Sequence, residues 1–142
     1  MKRKFTVVIF TDLDGSLLHR DTFKFDTIKD YVISLVNNGI VIIPNSSKTE
    51  KEIENFNTEL GIDLPYISEN GSSIYGLNLI NKHFPNKIIL SREKEELLKI
   101  FNDKVPEQIK NKCIQISKMS KKVQENILGQ KDEKLKDALN RK

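Results

Sequence analysis

The chain has 142 residues, of which 37% are hydrophobic and 31% charged, with a formal net charge of +4. That length suits one ordinary domain, and no apolar run approaches the roughly 18 residues of a membrane-spanning helix. One cysteine, Cys113, and two histidines, His19 and His83, exclude a disulfide framework, a cysteine-cluster metal site and a multi-histidine zinc site.

Met1 to Lys4 is basic and Phe5 to Phe10 is apolar. A secretory signal would continue that apolar stretch, but Asp12 and Asp14 cut it short. A soluble, cytoplasmic protein with no membrane partner is expected. Phe5-Thr6-Val7-Val8-Ile9-Phe10 is the first predicted strand, and such a continuous run suits burial on both faces, as in a parallel sheet. Ile28, Tyr31, Val32, Leu35 and Val36 recur at helical spacing and predict a helix over 26–38, with Asp26 or Thr27 as its cap and Gly39 as its stop. Ile40 to Ile43 is a second buried strand, ended by Pro44. A second helix follows over 49–60, because Ser47 with Glu50 and Thr49 with Glu52 both fit a capping box, and Gly61 closes it. Tyr66-Ile67 begins a third strand. Strand and helix in alternation predict a Rossmann-like α/β fold with a parallel sheet.

The pattern then changes. Gly71 to Ile80 and Lys87 to Leu90 read as short strands, with turns at Glu69-Asn70-Gly71 and near Pro85-Asn86. Helices are predicted over 91–104, 118–128 and 131–141. The expected organisation is a core over 1–80 and an α+β module over 81–142. Residues 1–90 carry a net charge of −1 and residues 91–142 a net charge of +5. Both signs are mixed in that tail and no aromatic follows Phe101, which fits solvated helix faces better than a nucleic-acid surface.

The chemistry concentrates in Thr11-Asp12-Leu13-Asp14-Gly15-Ser16-Leu17-Leu18, straight after the first strand. Open α/β sheets bind their ligands beyond the carboxyl ends of the strands. Asp12 and Asp14 stand two apart there, so both can face one pocket, and Gly15 permits a tight turn. Two neighbouring carboxylates repel each other unless a cation or a shared proton intervenes. Mg²⁺ is the expected cation, since it takes hard oxygen ligands and few carboxylates. Pro44-Asn45-Ser46-Ser47-Lys48-Thr49 occupies the equivalent place after the second strand and opens a helix. A hydroxyl and helix N-terminal amides at that edge can grip a phosphate. Ser46, Ser47 and Lys48 are the expected phosphate-binding residues. Lys48-Thr49 lacks the glycines of a P-loop.

Phe10 to Leu18 resembles the first motif of the haloacid dehalogenase superfamily, with Ser16 where threonine is usual. Ser46 matches the hydroxyl residue of that superfamily's second motif. Ser46-Ser47-Lys48-Thr49 together with Ser68-Glu69-Asn70-Gly71 is similar to the subgroup with a large α/β cap, and to its mannosyl-3-phosphoglycerate phosphatase family. The resemblance implies a phosphomonoester hydrolase in which Asp12 is the nucleophile that forms an aspartyl phosphate. It implies that Asp14 is the general acid and base, and that Mg²⁺ is held by the Asp12 carboxylate and the Asp14 backbone carbonyl. The implied substrate is a small phosphorylated sugar acid such as mannosyl-3-phosphoglycerate.

The resemblance also implies a later lysine and a later acidic motif of GDxxxD type, and no Gly-Asp pair follows residue 15. The expectation is therefore the first part of such a core followed by a partial cap. A second chain or a C-terminal continuation would supply the rest. This chain alone is expected to bind Mg²⁺ weakly and turn over poorly. Two other readings stand beside the hydrolase: a phosphate-ligand binding or regulatory module without turnover, and a nucleic-acid-binding tail on a small α/β domain. His19, His83 and Cys113 have no partners at catalytic spacing and are read as structural or surface residues.

Overall fold

The computed structural model describes residues 7–141. Phe5 and Thr6, the start of the first predicted strand, lie outside the described residues. The chain divides into two compact units, Met1–Leu90 and Ser91–Lys142.

The first unit opens with β1 (Val8–Thr11), α1 (Asp26–Asn37), β2 (Val41–Pro44), α2 (Glu50–Leu60) and β3 (Tyr66–Ser68). β1 and β2 are parallel, with Val8 opposite Val41 and Thr11 opposite Pro44. A single parallel bridge, Asn45 to Ile67, joins β2 to β3. The three strands therefore run the same way, as strands joined by crossover helices do. β3 then pairs antiparallel with β4 (Ser73–Tyr75), and β4 with β5 (Lys87–Ile89). A single helical turn, α3 (Leu77–Ile80), lies between β4 and β5, in part of the stretch expected to be strand. Gly76 precedes it at φ 72°, and a Cβ there would stand 2.9 Å from the Pro65 backbone.

Burial follows the apolar periodicity of the two long helices. Ile53, Phe56 and Leu60 of α2 and Val32 of α1 pack with Leu13, Ile42, Leu64 and Tyr66 into one core. Phe25 meets Phe56 edge-on, with ring centroids 5.0 Å apart. α2 starts as the sequence implies. Thr49 is its N-cap, its hydroxyl accepts from the Glu52 amide, and the Glu52 carboxylate accepts from the Thr49 amide. Gly61 ends it in the left-handed region. α1 starts differently: Phe25 is its N-cap, without a side-chain cap from Asp26 or Thr27.

β1 departs from the expectation of burial on both faces. Val8 is 48% and Phe10 61% exposed, while Ile9 and Thr11 are partly buried. β1 pairs with β2 alone, so one side of the strand has no neighbouring strand among the described residues. The run of apolar residues reports strand propensity there, and only alternate side chains reach the core.

The second unit, over its described residues, is helical: α4 (Lys94–Lys104), α5 (Glu107–Lys110), α6 (Lys121–Leu128) and α7 (Asp132–Leu139). The strand expected over Lys87 to Leu90, β5, pairs with β4 and belongs to the first unit. Gln124 donates to the Ile116 carbonyl at 2.9 Å, and Leu135 and Ala138 are buried. No helix among the described residues is long and apolar enough to cross a membrane.

Candidate active site at the sheet edge

The loop after β1 is wound by its own backbone. The Gly15 amide donates to the Leu18 carbonyl at 2.9 Å, and the Leu18 amide to the Leu13 carbonyl at 2.7 Å. Gly15 sits at φ 77°, which a side chain would resist. Leu13 is fully buried and Leu18 nearly so, which pins the loop to the core. The carboxylates that flank Leu13 point the other way: Asp12 is exposed and Asp14 partly exposed. The Asp12 carboxylate accepts from the Leu13 amide at 2.7 Å, which fixes its orientation.

The loop after β2 meets it at the same edge. The Asn45 amide donates to the Thr11 carbonyl at 2.8 Å, one step beyond the last register pair. Asp12 and Asn45-Ser46 therefore leave the sheet side by side. Ser46 is 3% exposed, and its hydroxyl accepts from the Lys48 amide at 3.3 Å. Ser47 is exposed on the same turn. A third segment braces this turn. The Glu69 amide donates to the Lys48 carbonyl at 2.9 Å, and the Asn70 amide to the Ser46 carbonyl at 3.0 Å. Glu69 and Asn70 both take positive φ to do so.

The two loops are joined by charge. Lys48 Nζ stands 3.0 Å from Asp14 Oδ1 and 3.7 Å from Glu52 Oε1. The Lys48 side chain is 11% exposed, and its ammonium lies 5.1 Å from the Phe23 ring centroid. The structure thus brings Asp14, Ser46 and Lys48 together and sets Asp12 beside them, with Ser47 on the outer side of the turn. Glu52 and Phe23 were not singled out from sequence as site residues. Glu52 carried a signal as the i+4 neighbour of Lys48, whereas nothing in the sequence linked Phe23 to residue 48.

Asp12, Asp14 and nearby carbonyls are hard oxygen donors of the kind Mg²⁺ accepts, since that ion keeps several waters and needs one or two carboxylates. Asp14 Oδ1 is buried without a hydrogen bond of good geometry, and the Lys48 ammonium is its neighbour. Among the described residues no group of three or more His, Cys, Asp or Glu could hold a metal. The residues fit Mg²⁺ as part of a ligand set, to be completed by water or by a phosphate oxygen. A cavity of about 590 Å³ lies at the other end of the strands, lined by residues such as Val36, Val41, Leu64 and Ile80. Asp63 is its one ionisable lining residue, whereas the Asp12 edge gathers two carboxylates, a hydroxyl and a lysine.

A family model for haloacid dehalogenase-like hydrolases matches residues 9–141. The chain is 41% identical over 69 residues to a glucosyl-3-phosphoglycerate/mannosyl-3-phosphoglycerate phosphatase of Persephonella marina, a match covering 49% of this chain and 26% of the relative. It is 41% identical over 68 residues to a mannosyl-3-phosphoglycerate phosphatase of Pyrococcus horikoshii, covering 48% of this chain and 27% of that one. The matched stretch thus spans about a quarter of each relative. Among solved structures, a haloacid dehalogenase-like hydrolase from B. subtilis superposes with a TM-score of 0.51 at 18% identity, over 68% of this chain and 32% of that one. That likeness supports the fold. With paired carboxylates after β1, a hydroxyl and a lysine after β2, and a family match over nearly all described residues, the chain belongs to the haloacid dehalogenase-like hydrolase family.

Proposed function

We propose that the Asp12 edge performs phosphomonoester hydrolysis through an aspartyl phosphate, on a phosphorylated sugar acid such as mannosyl-3-phosphoglycerate. The observation that carries this reading is the Asn45–Thr11 backbone bond, which sets the Asp12-Asp14 loop and the Ser46-Lys48 loop side by side. An Asp12 carboxylate oxygen attacks phosphorus while the bond from phosphorus to the sugar-acid oxygen breaks. Asp14 gives its proton to that leaving oxygen. Water then attacks the phosphorus of the aspartyl phosphate, Asp14 takes the proton, and free phosphate and the Asp12 carboxylate result. Splitting one difficult displacement into two is the advantage of a covalent intermediate. Ser46, Ser47 and Lys48 grip the phosphate, as hydroxyls, amides and a cation at a helix start can. Bound Mg²⁺ would lie against Asp12 and Asp14 and offset the charge of the phosphate. The substrate class rests on the names of the relatives; a cytoplasmic setting without nucleic-acid partners rests on the interrupted first apolar run and the mixed charges of residues 91–142. Further groups come, in this reading, from a second chain or a longer polypeptide, so turnover by residues 1–142 is slow.

The test is phosphate release from phosphorylated sugar acids with Mg²⁺ present. Asp12→Asn lowers the rate by roughly 10³-fold or more, as loss of a nucleophile does. Release that persists in Asp12→Asn contradicts the proposal. A second reading, a phosphate-binding module without turnover, is favoured by the depth of Ser46 and by the engagement of Lys48 with Asp14. It predicts saturable phosphate binding with no release from any ester.

A further inference from the structure

Lys48 has more partners than a simple phosphate clamp needs. Its ammonium lies 3.0 Å from Asp14 Oδ1, 3.7 Å from Glu52 Oε1 and 5.1 Å from the centre of the Phe23 ring. These neighbours differ in how firmly they are fixed. Glu52 is anchored by the capping box, where its Oε2 accepts from the Thr49 amide at 2.9 Å and the Thr49 hydroxyl at 3.1 Å. Phe23 belongs to a turn closed by its amide on the His19 carbonyl at 2.8 Å. Neither contact involves Asp14. Lys48 is also tied to the proposed phosphate grip through its own amide, which bonds the Ser46 hydroxyl.

Resting on the phosphate-site reading above, we propose that Lys48 is a displaceable counter-ion. It neutralises the Asp14 carboxylate while no phosphate is bound and transfers to the phosphate when one enters at Ser46, leaving Asp14 free to take up a solvent proton, which it then gives to the leaving oxygen. A lysine suits this exchange. Its charge is a compact point on a flexible stem, with three donors and no fixed fork geometry. Glu52 and Phe23 supply the fixed side of the seat, and Asp14 and the phosphate compete for the other. The arrangement also removes an obstacle to binding. Asp12, Asp14 and Glu52 would repel an anion, and a lysine already in place lessens that repulsion before the anion arrives.

The competition makes a non-additive prediction, measurable on the full chain with inorganic phosphate as the probe and calorimetry as the readout. Lys48→Gln weakens phosphate binding about tenfold. Asp14→Asn tightens it several-fold, because the lysine no longer has a rival partner. Plain repulsion between Asp14 and phosphate would also tighten binding, so the double variant decides. In the Lys48→Gln background, Asp14→Asn tightens binding clearly less than in the wild-type background if Lys48 is the exchanged group. The same several-fold tightening in both backgrounds overturns the inference and leaves the phosphate site standing. Unchanged affinity in Lys48→Gln alone overturns it too. If wild type binds no phosphate, and Ser46→Ala changes nothing, the phosphate-site reading fails and the inference falls with it. Thermal melts of each variant show whether an altered affinity comes with an altered fold.

Discussion

Thr49 and Tyr66 show how single residues set the site's footing. The Thr49 hydroxyl and the Glu52 carboxylate satisfy each other's backbone amides, so Thr49→Ala should cost about 1 kcal/mol of stability, read from chemical denaturation. It should also loosen Glu52, one of the neighbours of Lys48. Unchanged stability would show that the box is incidental. Tyr66 stacks on Tyr75 with ring centroids 4.9 Å apart, and burial pushes its hydroxyl pKa up, with Glu54 and Glu50 adding to the effect. The unfolded chain releases that proton near pH 10, while the folded chain retains it. Stability is therefore lost as pH rises above about 10, at up to about 1.4 kcal/mol per pH unit. Tyr66→Phe should remove that part of the alkaline slope, and equal slopes in both proteins would contradict it. The capping box was legible in the sequence because its residue types and spacing are specific. The Phe23–Lys48 contact was not, since a ring in one loop meets a lysine in another through the fold alone.

Among the elements, α2 bears most on the site, because its first turn carries Glu52 and its start follows Lys48 directly. Ile53, fully buried on its inner face, anchors it. Ile53→Ala should cost about 2–5 kcal/mol through the cavity it leaves. A loss well under 1 kcal/mol would show that the helix is held elsewhere. α1, β2, α2 and β3 were readable from periodicity, caps and glycine stops, which are local signals. Two features were not. The stretch around Leu77 to Ile80 forms a helical turn rather than strand, because Gly76 at positive φ redirects the chain after β4. Both faces of β1 are expected to be buried, and the structure exposes Phe10 and Val8, because burial depends on what packs on each face of the sheet, which a strand's own sequence does not reveal.

At the scale of the whole molecule, the exposed side of β1 has a measurable consequence. Among the described residues one edge of β1 is unpaired, and such an edge with exposed apolar side chains invites association. Phe10→Lys should change stability by no more than about 0.5 kcal/mol while lowering self-association in sedimentation experiments. A large loss of stability would show that Phe10 is packed. The candidate site was legible because Asp12-x-Asp14-Gly15 and Ser46-Ser47-Lys48 each follow a strand, and the parallel register then brings them together. The ion pair between Asp14 and Lys48 was not legible, since a contact between two separate loops is set by the fold and not by spacing along the chain. The most direct measurement of the central claim is acid-quenched peptide mapping by mass spectrometry after exposure to a phosphorylated sugar acid with Mg²⁺. A phosphoryl group on the peptide bearing Asp12, absent from Asp12→Asn, is the result expected. Phosphate release from the wild type with no phosphoryl group at Asp12 at any time of quenching would contradict the account.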